Sequence, residues 1–338
     1  MIQEHVPLAP HTTFKIGGAA RFFASVSDLR EAEDAVAYAA LHQVPVRVLG
    51  GGSNVLVSDM GVDALVLAYG AKQISFVPHG DTVHVVADAG APWDELVSAA
   101  SARGLWGTEN LADIPGTVGG ALVQNIGAYG AELKDIFVEA EVLHLPSSTQ
   151  RVITKNEAGF GYRTSLFKKQ PEFLIMRATL ALAPLGMPQL SYPDLVKANE
   201  RGEVLRTPTE IAEAVRRIRR GKFPNLDEEG TAGSFFKNPI VSAEQAARLT
   251  EQFPELRQFP HKDGLVKVSL AWILDHVLHL NGFAMGHARL FERQPLVIAT
   301  SFGATAEEVE NLGAEIAKRV FDATGIAIER EVESFKLK

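Results

Sequence analysis

Helical and extended periods alternate along this chain, the pattern of a protein that mixes helices with sheets. From Ser27, which predicts an N-cap, to about His42 the spacing is helical, with acidic residues in the first turns. Residues 44–49 predict a β-branched strand that runs straight into G-G-G-S-N at positions 50–54, and V-L-V-S-D after it predicts another. The strand pattern continues at 62–68 and 83–89. Pro92 then opens a helix that Gly104 closes. Strands resume at 137–145 and 173–182, and S-Y-P-D at 191–194 predicts a turn. Thr207, Pro208 and Glu210 supply an N-cap, a first helical position and a capping-box partner. Further helices start at Ser242, Ser269 and Thr305, with capping boxes at Ser242–Gln245 and Thr305–Glu308. The last carries Val309, Leu312, Ile316 and Val320 on one face, a core stripe. The final I-A-I-E-R-E-V-E-S-F alternates as a strand, which places Glu329, Glu331 and Glu333 on one solvated face.

One stretch interrupts this regularity. Asp113 to Gly130, D-I-P-G-T-V-G-G-A-L-V-Q-N-I-G-A-Y-G, holds Gly116, Gly119, Gly120, Gly127 and Gly130 and no charge after Asp113. Glycine makes poor helix or strand, because it loses the most backbone entropy on folding. It suits backbone that must turn with positive φ or that something must approach closely. Such a loop can cradle phosphate on bare N–H groups, or it can be a tightly packed turn. The G-G-G-S-N loop after a strand raises the same two readings. It is neither a dinucleotide fingerprint nor a P-loop, since G-x-G-x-x-G and Gly-Lys-Ser/Thr are both absent. Two such loops in one chain favour one extended ligand held by both.

Composition narrows the partners. A chain of 338 residues should make two or three domains. With no cysteine, disulfides, thiolate metal sites and a flavin tethered through cysteine are excluded. No histidine pair has ligand spacing, so no metal is expected. A net charge of −8 argues against nucleic acid, and an anionic ligand would need a local basic cluster. No secretory signal or bilayer-length apolar run is visible, so the expectation is a cytoplasmic protein without a membrane partner.

Three further stretches carry chemistry-bearing residues. F-G-Y-R-T-S at 160–165 sets an arginine among aromatics and glycine. R-R-I-R-R-G-K at 216–222 holds five basic residues; the helix dipole accounts for Arg216 or Arg217, and the excess suggests an anion site. T-A-G-S-F-F-K-N-P at 231–239 places Ser234 beside two aromatics, a lysine and an amide, and it is not a hydrolase elbow.

Taken in order, T-T-F-K-I-G-G, G-G-G-S-N, I-P-G-T-V-G-G-A-L-V-Q-N-I-G-A-Y-G, F-G-Y-R-T-S-L-F, A-G-S-F-F-K-N-P and the terminal E-R-E-V resemble the UDP-N-acetylenolpyruvoylglucosamine reductase family. The resemblance spans nearly the whole chain. It implies an α+β fold: a vanillyl-alcohol-oxidase-type FAD-binding domain over 1–220, in subdomains of about 1–68 and 69–220. A C-terminal α+β substrate-binding domain over 221–338 follows, its terminal strand (326–335) returning toward the flavin. The implied enzyme is a monomeric flavin oxidoreductase of peptidoglycan precursor synthesis, with non-covalent FAD, NADPH as hydride donor and UDP-N-acetylglucosamine enolpyruvate as substrate. S-Y-P-D-L is similar to the family type that carries a tyrosine loop.

Site residues follow from the resemblance position by position. FAD would be held by Gly50, Gly51, Gly52, Ser53 and Asn54, by Pro115, Gly116, Thr117, Gly119, Gly120, Gln124, Asn125 and Gly127, and by Arg219. Substrate would be held by Tyr162, Tyr192, Lys222, Asn238 and Gln294, although L-F-E-R-Q-P-L-V around Gln294 departs from the family pattern. Arg163 and Glu331 would stabilise the enolate formed when hydride reaches the terminal alkene carbon, and Ser234 would protonate the α-carbon. Glu331 must be protonated for that, or act by orienting Arg163, because a bare carboxylate repels an enolate; this conflicts with its place on a solvated face. A flavin oxidase on the same fold has no need of an α-carbon proton donor, and a non-catalytic binding module needs none of the three.

Overall fold

The structure, a computed structural model, describes residues 1–336. The chain divides into two compact units. The first comprises Met1–Val6, Ala20–Gly52 and Asp63–Arg220; the second comprises Pro7–Ala19, Ser53–Val62 and Gly221–Lys338.

The first unit contains two sheets. One orders Gln3–Pro7, Ala19–Val26, Val62–Tyr69 and Val46–Val48, with Val46–Val48 parallel to Val62–Tyr69. The other is antiparallel throughout, in the order Thr149–Thr154, Phe137–His144, Phe173–Leu182, Thr82–Asp88 and Ile74–His79. Its central strand Phe173–Leu182 buries Leu174, Leu180 and Leu182 completely. The helix Trp93–Ser101 packs its apolar face into the same core, and the buried Trp93 indole donates to Leu111 O at 2.9 Å. That bond offsets the cost of burying the N–H.

Glycine density predicted an irregular loop over 113–130, yet Val118–Gln124 within it is an α-helix capped by Thr117. Gly119 serves close approach: a Cβ there would lie 3.0 Å from Ala89 Cβ, so the helix meets the end of Thr82–Asp88 closely. Positive φ appears at Gly116 and Gly130, and also at the non-glycine Asp113, Asn125 and Tyr129. Two other expectations shift. Asp28, not Ser27, caps Leu29–Leu41, accepting from Glu31 N at 2.8 Å, while Ser27 N and Oγ both donate to the Glu31 carboxylate. S-Y-P-D is a helix start rather than a turn, with Tyr192 as N-cap and Pro193 first in Pro193–Glu200, where proline's fixed φ fits.

The second unit is built on an antiparallel sheet ordered Gly230–Ser234, Gln294–Thr300, Ala288–Phe291, Ala284–Met285. The helix Ala306–Thr324 covers it with the expected stripe: Val309, Leu312, Ile316 and Val320 are fully buried. Its start is doubly secured. Thr305 and Glu308 form the capping box, and Asp59 accepts from Ala306 N at 2.8 Å and Glu307 N at 3.0 Å. The segment at Ser269 begins as a short helix, Leu270–Trp272, and widens into a π-turn over Ile273–Val277.

The tail differs from its alternation. Only Glu333–Phe335 is a strand, pairing in parallel with Val55–Val57; before it, a single bridge joins Arg330 to Phe236. Glu329 and Glu333 are exposed, as the period required, but Glu331 is half-buried. Once the chain leaves regular pleat, side-chain period no longer dictates the face.

Candidate active site

In the first unit the two glycine loops meet backbone to backbone. A Cβ on Gly51 would stand 2.6 Å from Gly116 Cα and 3.1 Å from Thr117 N, and one on Gly50 would stand 3.3 Å from Thr117 Oγ1. Gly52 takes φ +63° and Gly116 φ +119°, both left-handed. The Val118 and Gly119 N–H groups are spent on Ala91 O and Ala89 O, each at 2.9 Å, and Gly120 N on Thr117 Oγ1 at 3.4 Å. These three N–H groups therefore have partners inside the protein. Pro115 beside Gly116 is exposed. Ser53 and Asn54 continue the first loop but belong to the second unit.

The basic run ends the helix Pro208–Lys222, and two of its arginines form ion pairs. Arg216 forks onto Asp94, Nε and Nη2 each at 3.0 Å, and Arg217 pairs with Glu203. Arg219 is mostly buried and donates from Nε to Asp113 O at 3.0 Å. Burial lowers the pKa of its guanidinium and raises that of the Asp113 carboxyl, which Arg219 partly offsets. Asp113 N in turn donates to Asp94 at 2.7 Å, so the start of the glycine stretch is gripped by the arginine helix. Tyr129, its phenol pKa pushed up by burial, meets Tyr192 edge-on at 5.0 Å. Asn110, which the sequence did not single out, donates to Tyr129 O at 2.8 Å and to Gln189 O at 2.9 Å.

Arg163 stands at the corner of a tight hairpin. Gly161 and Thr164 exchange both backbone bonds, at 2.9 and 3.2 Å, and Arg163 itself takes φ +55°. That backbone is uncommon for a non-glycine residue and persists only where the surroundings over-determine it. The guanidinium lies 5.5 Å from the Tyr162 ring centroid and donates from Nη2 to Gly127 O at 2.8 Å. Gln124, nearly buried, accepts from Lys168 Nζ at 2.9 Å.

In the second unit Ser234 closes the strand Gly230–Ser234, half-buried, opposite Val297. The ladder is irregular between Thr231 and Ser234, where Gly233 turns with φ +74°. Such an irregularity re-aims the side chain after it. Phe235 N donates to Leu296 O at 2.7 Å, and Phe235 O accepts from Glu331 N at 2.8 Å. Glu331 O is held by Asn54 Nδ2 at 3.2 Å, and Glu333 N donates to Asn54 O at 2.9 Å. The ring of Phe235 fills the space a Cβ on Gly313 would need, at 2.7 Å. A glycine inside a helix costs about 1 kcal/mol against alanine, and that cost was the sequence signal for this contact. Arg330 lies over the Phe235 ring, 4.9 Å from its centroid. Asn238 Oδ1 accepts from Leu270 N at 3.0 Å, Gln294 opens the strand Gln294–Thr300, and Lys222 ends its helix half-buried. Among the described residues no helix could cross a membrane and no cluster could hold a metal ion.

Known proteins resemble this chain over nearly its whole length. A family model described as FAD binding domain matches residues 20–153, and one for the UDP-N-acetylenolpyruvoylglucosamine reductase C-terminal domain matches residues 225–335. The UDP-N-acetylenolpyruvoylglucosamine reductase of Pseudomonas aeruginosa is 40% identical over 333 residues, covering 98% of this chain and 98% of that protein. The protein of the same name from Neisseria meningitidis serogroup A is 36% identical, covering 98% and 96%. The crystal structure of UDP-N-acetylenolpyruvylglucosamine reductase from Thermus caldophilus matches with a TM-score of 0.69 at 27% identity, covering 99% of each chain. These matches carry the α+β fold with a vanillyl-alcohol-oxidase-type FAD-binding domain that the sequence implied.

Proposed function

The chain belongs to the UDP-N-acetylenolpyruvoylglucosamine reductase family, and from that premise we propose that it reduces UDP-N-acetylglucosamine enolpyruvate to UDP-N-acetylmuramate, acting in the cytoplasm in peptidoglycan precursor synthesis. NADPH is the hydride donor. The residues fit FAD: bare glycine backbone on two loops in mutual contact, where any side chain on Gly51 would collide with Gly116. When bound, FAD supplies the hydride that reaches the terminal carbon of the enolpyruvyl group.

Everything else falls to the protein. Charge develops on the α-carbon and spreads into the adjoining carboxylate. A fixed donor aimed at such charge is worth about 3–4 kcal/mol. Arg163 fills that role because its guanidinium is permanently charged and matches a carboxylate with two parallel donors. Ser234 Oγ gives its proton to the α-carbon and recovers it from solvent. Serine is a weak acid, adequate only because the enolate is a strong base. Glu331 supports the same developing charge, and Tyr162, Tyr192, Lys222, Asn238 and Gln294 bind the substrate, with Lys222 on its diphosphate.

The observation that carries this reading is the bond from Glu331 N to Phe235 O, which ties Glu331 to the residue after Ser234. Two residues assigned to one chemical step from distant parts of the sequence share one backbone ladder. An anaerobic titration tests it. NADPH should bleach the flavin band, and the enolpyruvyl substrate should restore it without oxygen. A band that stays bleached means another acceptor, and protein that takes up no FAD removes the reading altogether.

A further inference from the structure

Resemblance gives Asn125 and Gly127 to the cofactor, but the Asn125 side chain points elsewhere. The residue is 1% exposed and takes φ +43° as the left-handed stop of Val118–Gln124. Its amide nitrogen donates to Gly161 O at 2.9 Å and to Glu132 Oε2 at 3.3 Å, and its Oδ1 accepts from Lys134 N at 3.0 Å. An amide has two donor hydrogens, and both have partners inside the protein. Gly161 is the base of the hairpin whose corner is Arg163. Its carbonyl also accepts from Thr164 N, so Asn125 shares the bond that closes the hairpin. The far end is pinned as well: the fully buried Ser165 donates to Val123 O at 2.7 Å. Gly127 completes the seat. Its carbonyl receives Arg163 Nη2, and a Cβ there would stand 3.1 Å from Arg163 Nη1 and 3.0 Å from Glu132 Cγ.

We propose that Asn125 is a positioning residue for Arg163: it fastens the Gly161–Thr164 turn to the helix stop so that the guanidinium keeps its place on Gly127. The energetic logic is that the strained Arg163 backbone must be held by bonds made elsewhere. The amide supplies one of them, tying the half-buried Gly161 carbonyl to the buried helix stop. Its catalytic consequence rests on the function proposed above; the clamp itself does not.

Asn125→Gly isolates the amide, because glycine is the commonest residue at a left-handed helix stop and preserves the backbone. Hydrogen exchange read by mass spectrometry over residues 160–166 should quicken about tenfold, the worth of one intramolecular hydrogen bond. Unchanged exchange overturns the clamp, whatever the substrate. In the enzyme, flavin content and bleaching by NADPH should match the parent, while reoxidation by the enolpyruvyl acceptor slows about tenfold. In an Arg163→Lys background the same substitution should add nothing further to that step, because coupled residues are not additive. A drop in flavin content with normal reoxidation per flavin would return Asn125 to the cofactor, and equal losses in both backgrounds would remove Arg163 as its route. If the parent enzyme itself is not reoxidised, the function has failed and the exchange measurement still decides the clamp.

Discussion

Arg163 and Glu331 are held by different kinds of bond. Arg163 is kept in place by side chains: Asn125 and Ser165 grip its hairpin, and its own guanidinium reaches Gly127 O. Glu331 is kept in place through its own main-chain atoms: its N–H donates to Phe235 O, and its carbonyl accepts from the Asn54 side-chain amide. A side-chain clamp can be undone one group at a time. A backbone bond is blind to substitution at the residue that makes it, so replacing Glu331 or Ser234 tests their chemistry with little disturbance of position. The first unit is therefore where neighbours matter, and the second is where the reacting group itself matters.

The largest expected effect sharpens the second half of that contrast. Ser234→Ala keeps the strand end and removes only the hydroxyl, so turnover should fall by about 10²–10⁴-fold, the usual worth of a positioned proton donor. Flavin content and bleaching by NADPH should be unaltered in the same preparation. Steady-state rates beside the flavin spectrum check it, and an alanine variant with full turnover would end the role assigned to Ser234.

Next comes the glycine contact in the first unit. Gly51→Ala places a methyl 2.6 Å from Gly116 Cα, a backbone atom with no flexible end to move aside. Overpacking of this kind costs about 1–3 kcal/mol, and the loops must part to relieve it. The protein should purify with less FAD and a lower melting temperature, most of the flavin deficit being recoverable at high added FAD. Gly104→Ala is the control: no atom lies within 4 Å of its Cβ, so only its φ of +69° resists the change. Equal flavin content in the two variants would mean that loop contact does not shape the cofactor cradle.

These two substitutions also mark what the sequence could and could not convey. The glycine loops were legible because glycine is a local signal, read without knowing what lies opposite. The helix inside the second loop was not, since Gly119 serves the close approach of Ala89, a contact distant in sequence. Capping signals at Thr207 and Thr305 held for the same local reason, each being a bond over three residues. Glu331 failed the alternation argument because its surroundings come from Phe235 and Asn54, far away in sequence. The helix dipole accounted for Arg216 or Arg217 without naming their partners, Asp94 and Glu203. No periodicity encodes partners at that distance.

The smallest effect separates the units by the sign of a pH dependence. Asp113 in the first unit has its carboxyl raised, by burial first, with Arg219 working the other way. The folded state therefore prefers the neutral acid. This contribution favours folding below the ordinary aspartate value near 3.8 and is lost as pH rises through the raised folded value. Glu308 in the second unit is lowered, chiefly by the bond from Thr305 N and then by His287. Its contribution is present above the ordinary glutamate value of 4.5 and is lost as pH falls through the lowered one. Asp113→Asn and Glu308→Gln each keep the shape and delete the charge; glutamine still serves a capping box, and asparagine tolerates the left-handed backbone of residue 113. Near neutral pH the first should gain roughly a few tenths of a kcal/mol and the second lose about as much, both groups being partly screened by solvent. In acid both differences should vanish, because the parent carboxyls are then neutral too. Melting temperatures from pH 3 to 7 read the two curves, which should open in opposite directions. Curves that open the same way would mean that Arg219 outweighs burial at Asp113, and that the guanidinium, not the desolvated loop, sets the charge at the start of the glycine stretch.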